Sequence, residues 1–176
     1  LLEVLLRQYH GPIVVDADAL NMISEHNLHH LCLHRKGPTV LTPHVGEMAR
    51  LLKWTKEQVL ADPVGAVKKC VELTHAVVLL KGAATLIGSP QEMLYVNHMP
   101  NEGMATAGSG DVLAGMIGAL LGQGLEVFDA ACVGVYLHSL AGDISARQAS
   151  SRGMTSSDIL SNIPKAYQEL EQLANT

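Results

Sequence analysis

The sequence has few aromatic residues and little net charge, and both shortages argue against a nucleic-acid-binding protein. One Phe, one Trp and four Tyr in 176 residues leave little surface on which bases could stack. A formal charge of −5, with no run of Lys or Arg, gives no basic footprint for a phosphate backbone. We therefore expect a protein with no nucleic-acid partner.

Paired cysteines and long apolar runs are also lacking. Cys32, Cys70 and Cys132 are odd in number and widely spaced, which predicts buried thiols in a reducing cytoplasm rather than a disulfide framework. No apolar run reaches the roughly 18 residues that cross a membrane, and no basic signal-peptide segment is seen. We expect a cytoplasmic protein with no membrane partner. The chain begins at Leu1 rather than Met, within a predicted helix that ends near Gly11, so we expect its natural N-terminus to be missing.

Aliphatic side chains are abundant, since 48% of the residues are hydrophobic and so few are aromatic. Such a core is typical of a sheet covered by helices on both faces. Short apolar runs at 13–15, 40–41 and 76–80 predict buried parallel strands, and 85–87 with 93–96 predict a hairpin around Gly88-Ser89-Pro90. The chain is therefore predicted to be one α/β domain, residues 1–176, with a mainly parallel sheet.

Helical patterns alternate with these strands and then dominate the second half. Thr55 with Gln58 forms a capping box, and Asp62 before Pro63 predicts a further helix start. The predicted helices cover 18–25, 55 onward, 63–73, 109–123, 127–149, 155–160 and 164–173. Ligands are expected at the carboxyl ends of the parallel strands.

A glycine-rich turn at 101–111 is the most informative stretch. Gly108 and Gly110 permit a tight turn and a close backbone approach, and the helix that follows offers free N–H groups to an anion. Asp111 in its first turn is a candidate base. The alternative is that Ser109 or Asp111 only caps the helix. The small residues Ala114, Gly115, Gly118 and Ala119 predict that this helix is closely packed on every side.

Other polar residues follow the predicted strands. Asp16 and Asp18 come after the first strand, where either could simply cap the next helix, and for Asp18 the pattern fits a cap and a ligand role equally. Asn21, inside that helix, is a candidate ligand. His44 and Glu47 lie one turn apart, and Glu47 could reach Mg²⁺ directly or through water. Lys81 and Gly82 suit a phosphate. The histidines at 26, 29, 30 and 34 lack zinc spacing and are expected to face solvent in a loop.

Three motifs in order, Thr42-Pro43-His44-x-Gly-Glu47, Lys81-Gly82-x-x-Thr85 and Gly103–Asp111, resemble the NAD(P)H-hydrate dehydratases of the ribokinase-like superfamily. The resemblance runs from Pro12 to Pro164, and the Met-Ala-Thr-Ala-Gly form looks like the bacterial branch, which implies ADP as co-substrate. It implies repair of hydrated NADH or NADPH. ADP phosphorylates the hydroxyl of the hydrated ring, and phosphate is then expelled.

The resemblance also implies roles for individual residues. Asp111 matches the catalytic base and substrate contact, and His44 matches a hydrate-binding residue, to which we add Asn21. Glu47 matches an acidic residue that organises Mg²⁺. The nucleotide-binding positions would be Lys81, Gly82, Ala83, Ala84, Thr85, Gly108, Ser109 and Gly110.

One departure from the family leaves other functions open. Family members usually carry about a hundred more N-terminal residues, with strands and glycine-rich contacts that have no counterpart here. If this chain were the whole protein, its sheet would have an exposed edge where these strands are missing, which would favour a homo-oligomer or loss of activity. The alternatives are a ribokinase-like kinase acting on a hydroxymethyl vitamin precursor, and an inactive fragment that still binds nucleotide.

Overall fold

The computed structural model describes residues 1–174, and its centre is one sheet of five strands. The strands are β1 (Ile13–Val15), β2 (Thr39–Leu41), β3 (Val77–Leu80), β4 (Thr85–Gly88) and β5 (Leu94–Asn97), and they lie in this order across the sheet. β1, β2 and β3 pair in parallel, and β4 and β5 continue the sheet as antiparallel strands. The sheet is thus mixed, with the predicted hairpin added to a parallel part of three strands.

Helices connect the parallel strands and form the C-terminal third of the chain. The helices up to β3 are α1 (Leu2–Gln8), α2 (Asp18–Glu25), α3 (His29–Leu33), α4 (Val45–Leu52), α5 (Lys56–Ala61) and α6 (Pro63–Thr74). A 3₁₀ turn (Glu102–Met104) then leads to α7 (Ser109–Gly122), α8 (Val127–Ala149) and α9 (Ser156–Ala174). The predicted caps at Thr55, with its capping box, and at Asp62 are confirmed by their side-chain hydrogen bonds.

The alternation of β3 shows how the sheet is buried on both sides. Val78 and Leu80 join the apolar cluster of α1 to α6, whereas Val77 and Leu79 join the cluster of α7 and α8. The α/β architecture with helices on both faces is therefore confirmed.

Two predictions about secondary structure were wrong, one at Pro164 and one at the histidines of residues 26–34. α9 runs without a break through Pro164, although we expected two segments, 155–160 and 164–173, with a break before Pro164. Ile159 and Ala166 flank Pro164 and are both fully buried in the cluster around α8, so packing keeps the helix continuous. The expected histidine loop contains α3, and His29 is half-buried with Nε2 2.9 Å from the Leu51 carbonyl oxygen.

The small face of α7 departs most clearly from expectation. Gly115, Gly118 and Gly122 follow Asp111 along one side of the helix, and apart from the adjacent residues and backbone of α7 itself no heavy atom of residues 1–174 lies within 4 Å of a Cβ built on any of these glycines. Ala119 is exposed as well. The prediction of close packing on every side was therefore wrong, because the described chain covers the faces of α7 that meet α8, α9 and the sheet but not the glycine face.

α8 is apolar and 23 residues long, enough to cross a membrane by length and composition alone. It packs against α7, α9 and the sheet, and residues along its length, such as Ala130, Leu137 and Ile144, are buried in these contacts. The helix thus serves as a core helix of this fold.

All three cysteines are free, as predicted. Burial raises the pKa of Cys32 to about 11 and that of Cys70 to about 12, so both stay protonated thiols near neutral pH. Cys132 is only partly buried.

Candidate active site

The three parallel strands end at one edge of the sheet and bring three polar residues together. Asp16 follows β1, His44 follows β2 and Lys81 follows β3. The Lys81 backbone N–H donates to the Pro43 carbonyl at 2.8 Å, and a parallel bridge joins Lys81 to His44. The Lys81 ammonium lies 2.7 Å from Oδ1 of Asp16.

The amino end of α7 faces this edge and has no side-chain cap. Its N-cap residue is Gly108, which holds the left-handed φ of +84° that favours glycine. The Ser109 N–H donates to the Thr106 carbonyl, but within residues 1–174 neither the Gly110 nor the Asp111 N–H meets an acceptor. The alternative that Ser109 or Asp111 caps the helix is therefore wrong. The two unpaired N–H groups and the helix dipole suit a phosphate oxygen.

A cavity of about 770 Å³ opens between the ends of the strands and α7. Seven of the predicted site residues line it: His44, Lys81, Gly82, Ala83, Thr85, Ser109 and Gly110. The other lining residues are Asn97, Met99, Pro100, Asn101, Glu102, Met104, Ala105, Thr106, Leu113, His138 and Ser139. The cavity therefore combines a cationic end near Lys81 with an apolar wall that contains methionines.

Asp111 lies beside this cavity rather than in its wall. Its side chain is exposed on the same open face of α7 as the glycines. This carboxylate, next to Gly110 in the chain, is therefore accessible from outside the cavity. Gly108 and Ala84 belong to the same turns but do not line the cavity either.

His44 and Glu47 are joined in a capping box at the start of α4. The His44 Nδ1 accepts from the N–H of Gly46 at 2.9 Å and of Glu47 at 3.3 Å. In return, Glu47 Oε2 accepts from the His44 N–H at 2.8 Å, and Oε1 lies 3.3 Å from His44 Nε2. Because Nδ1 accepts, the neutral ring carries its proton on Nε2.

Glu47 is a poor fit for the predicted magnesium ligand. Its side chain is only 6% exposed, and both carboxylate oxygens are engaged by His44. Over residues 1–174 there is also no group of three or more His, Cys, Asp or Glu side chains placed to hold a metal. Mg²⁺ that entered with a nucleotide would therefore be held mainly by phosphate oxygens and water.

Asn21 is not brought into the site. It lies in α2 with its amide Oδ1 accepting from Nε of Arg50 at 2.8 Å, and it does not line the cavity. The side chain ties α2 to α4, so its position suits helix packing better than the substrate contact that we expected.

The sequence did not reveal the residues at the inner end of the cavity. His138 of α8 is buried, with Nε2 3.4 Å from the Ser109 hydroxyl oxygen, and burial lowers its pKa to about 4. Asn97 at the end of β5 is also buried and donates from Nδ2 to Ser139 Oγ at 2.9 Å. The position of the polar Asn97 at the end of a strand could have indicated a site residue. A single histidine inside an apolar helix, such as His138, gives no such indication.

The comparison with known proteins decides the family. A family model for NAD(P)H-hydrate dehydratase matches residues 1–165. The chain belongs to the NAD(P)H-hydrate dehydratase family. It is 46% identical over its whole length to a bifunctional NAD(P)H-hydrate repair enzyme from Moorella thermoacetica, of which it covers 33%. It is 48% identical over 82% of its length to an ADP-dependent (S)-NAD(P)H-hydrate dehydratase from Neisseria meningitidis, of which it covers 49%.

A solved member of this dehydratase family has the same fold. The Bacillus subtilis ADP/ATP-dependent NAD(P)H-hydrate dehydratase, co-crystallised with ATP/Mg²⁺, superposes with a TM-score of 0.78 at 25% identity. The match covers 90% of this chain and 55% of that one, and the ribokinase-like fold implied by the motifs is confirmed. The chain thus spans from about a third to about half the length of the relatives it matches.

Proposed function

We propose that this chain forms the nucleotide-binding part of an ADP-dependent NAD(P)H-hydrate dehydratase, which restores hydrated NADH or NADPH and releases AMP and phosphate. The observation that carries the proposal is that Gly110, at the uncapped amino end of α7, and Lys81 line the same cavity. Membership of the family and the ADP dependence of the Neisseria relative support ADP as the nucleotide.

The nucleotide would lie along the cavity with its phosphates toward α7. Gly82, Ala83 and Thr85 line the wall next to Lys81, so the turn after β3 would hold the nucleotide together with the turn before α7. The apolar wall, including Met99, Met104 and Leu113, would receive the base. Amide N–H groups and the ammonium then stabilise the charge that moves onto the transferring phosphoryl group.

Phosphoryl transfer turns a poor leaving group into a good one. The ring hydroxyl attacks the β-phosphorus of ADP, the bond to the bridging oxygen breaks, AMP leaves, and Asp111 accepts the hydroxyl proton. The ring nitrogen lone pair then expels phosphate, and loss of a proton from the neighbouring carbon restores the double bond. The exposure of Asp111 next to the uncapped amino end of α7 supports this role, and His44, which is about half exposed, would contact the hydrated ring.

The proposal is tested by incubating the chain with hydrated NADH and ADP and following the absorbance of the reduced nicotinamide. Recovery of absorbance with equal release of AMP and phosphate is expected, and omission of ADP should abolish it. Turnover of a thiazole or pyridoxal alcohol without recovery would instead support the kinase alternative. ADP binding without any turnover would support the inactive fragment.

A homo-oligomeric state and a cytoplasmic location stay predictions. β1 is an edge strand of the sheet and α7 presents an uncovered face next to it, which supports association through this side. Light scattering on the purified chain tests the prediction, because a monomeric mass at micromolar concentration would contradict it.

A further inference from the structure

Asp16 forms an ion pair with Lys81, which lines the cavity. Oδ1 of Asp16 lies 2.7 Å from Nζ of Lys81, and the two side chains are only 15% and 23% exposed. β1 and β3, which directly precede these residues, are separated by β2. The pair therefore crosses over the end of β2 and connects strands that share no hydrogen bonds.

The same ion pair rests on the first turn of α7. A Cβ built on Gly110 would lie 3.4 Å from Oδ2 of Asp16 and 3.5 Å from Nζ of Lys81. The ammonium thus sits beside the unpaired N–H groups of α7, at the end of the cavity that would receive phosphate. Lys81 lines the cavity, whereas Asp16 does not.

The backbone after Asp16 is held in an unusual conformation. Ala17 has φ of +50° and ψ of −122°, a region that residues other than glycine rarely adopt. Such a conformation persists only where the surrounding structure imposes it. The turn from β1 into α2, which begins at Asp16, is therefore held in one conformation by its surroundings.

We propose that Asp16 is a positioning residue that holds the Lys81 ammonium at the amino end of α7 for the nucleotide phosphates. This inference rests on the nucleotide site proposed above. A lysine side chain has four rotatable bonds and loses conformational entropy when it binds an anion. An anchor that orders the side chain beforehand removes part of this loss and raises the affinity for the phosphate.

The charge of Asp16 makes the proposal easy to test. As a bare negative charge next to a phosphate, Asp16 would weaken nucleotide binding, so its removal should then tighten binding. As a positioning residue it strengthens binding through Lys81, so its removal should weaken binding. The two roles predict changes of opposite sign in the ADP dissociation constant.

The experiment is a double-mutant cycle on the purified chain, with ADP binding measured by calorimetry. The variants are Asp16→Asn, Lys81→Met and the double variant, and Asp18→Asn is the control, since Asp18 is an exposed carboxylate in the same segment. We expect Asp16→Asn to weaken ADP binding about fivefold to tenfold, which corresponds to roughly 1.0–1.4 kcal/mol. On the Lys81→Met background the same change should not weaken binding. Asp18→Asn should leave the affinity unchanged.

Each other outcome overturns the inference. Unchanged or tighter binding by Asp16→Asn would show that the carboxylate does not position Lys81, and equal weakening on both backgrounds would show a general structural role. If Asp16→Asn fails to fold, the cycle is run with Asp16→Glu, which keeps the charge and displaces the carboxylate by one methylene group. Weakening that disappears with Lys81→Met is again required. Lack of ADP binding by the wild-type chain would instead overturn the proposed nucleotide site, and the inference with it.

Discussion

The hydroxyl of Ser109 lies 3.4 Å from Nε2 of His138, so the first turn of α7 is joined to the buried side of α8 at the cavity wall. Burial is the main reason that the pKa of His138 falls to about 4, and the nearby Lys81 charge lowers it further. The imidazole is therefore neutral when the chain is folded at physiological pH. A neutral ring can accept the Ser109 hydroxyl proton, which leaves the hydroxyl oxygen able to accept from another donor.

His138 should make the stability of the fold sensitive to acid. Its folded pKa is about 4 and its unfolded value is 6.5, so the unfolded chain binds the extra proton between these values. The contribution of the neutral, buried His138 to the free energy of unfolding is therefore fully present above pH 6.5 and is lost as the pH falls toward 4. In His138→Gln this loss should be absent, and the stability difference between wild type and variant should shrink by up to about 3 kcal/mol.

Urea unfolding at several pH values between 7.5 and 4 measures this difference. His34→Gln is the control, because His34 is exposed and lies far from α8 in the sequence. Parallel pH curves for wild type and His138→Gln would contradict the assignment of a depressed pKa to His138.

Substitution by alanine should affect ADP binding at one glycine of α7 and only stability at another. At Gly110 a Cβ would point at the ion pair of Asp16 and Lys81, at distances of ordinary contact, so the fold should be kept. The methyl group would nevertheless occupy the approach of a phosphate to the N–H groups. We expect Gly110→Ala to weaken ADP binding by roughly 2 kcal/mol or more, since it displaces charge-assisted hydrogen bonds.

Gly115→Ala is the matched substitution on the same helix. No heavy atom of the described chain lies near its built Cβ, so the variant should gain about 0.5–1 kcal/mol of unfolding free energy from helix propensity. Its ADP affinity should equal that of wild type. Calorimetry and urea unfolding on both variants check the pair, and equal ADP affinities for the two would contradict a phosphate site at Gly110.

Arg35 should be a major contributor to stability far from the site. Its guanidinium donates to the carbonyls of Tyr9, Gly11 and Pro38, and to the Thr39 hydroxyl, so it ties the end of α1 to the start of β2. Hydrogen bonds from a charged donor are stronger than neutral ones, and an ammonium cannot reproduce the planar fork. Arg35→Lys should cost roughly 2 kcal/mol of unfolding free energy.

Lys36→Met provides the control for Arg35, because the neighbouring Lys36 is exposed. Urea unfolding should show almost no change for this variant. A similar stability for Arg35→Lys and wild type would show that the bonds to α1 contribute little in solution.

The sequence allowed much of this site to be predicted because parallel strands end at one edge. Lys81 directly follows an apolar run, His44 follows one after Thr42 and Pro43, and the glycines at 108 and 110 lie at the start of a helical pattern, so local signals sufficed. Asn97 and His138 come from an antiparallel strand and from the middle of a helix. Their place in the cavity depends on how distant elements pack, which periodicity does not encode.

The same limit explains the error at α7. Small residues at Gly115 and Gly118 indicate that something can approach the helix closely, but they do not say whether the described chain supplies it. Pro164 is a second example, since propensity predicts a break, whereas burial of Ile159 and Ala166 keeps α9 continuous. At Pro164 tertiary packing overrides a local preference, whereas at α7 the packing partner that the small residues suggest is absent from the described residues.

Asp111→Asn separates catalysis from binding at the amino end of α7. The amide keeps the size of the carboxylate but cannot accept the hydroxyl proton, so turnover should fall by roughly 10²–10⁴. ADP binding should change little, because Asp111 is exposed and lies outside the cavity wall. Asp129→Asn is the matched control, as Asp129 is an exposed acidic residue in the first turn of α8. Both variants remove a favourable charge from a helix start, at a cost of about 0.3–1 kcal/mol, so only Asp111→Asn should lose absorbance recovery. A near-normal rate for Asp111→Asn would mean that another group accepts the proton.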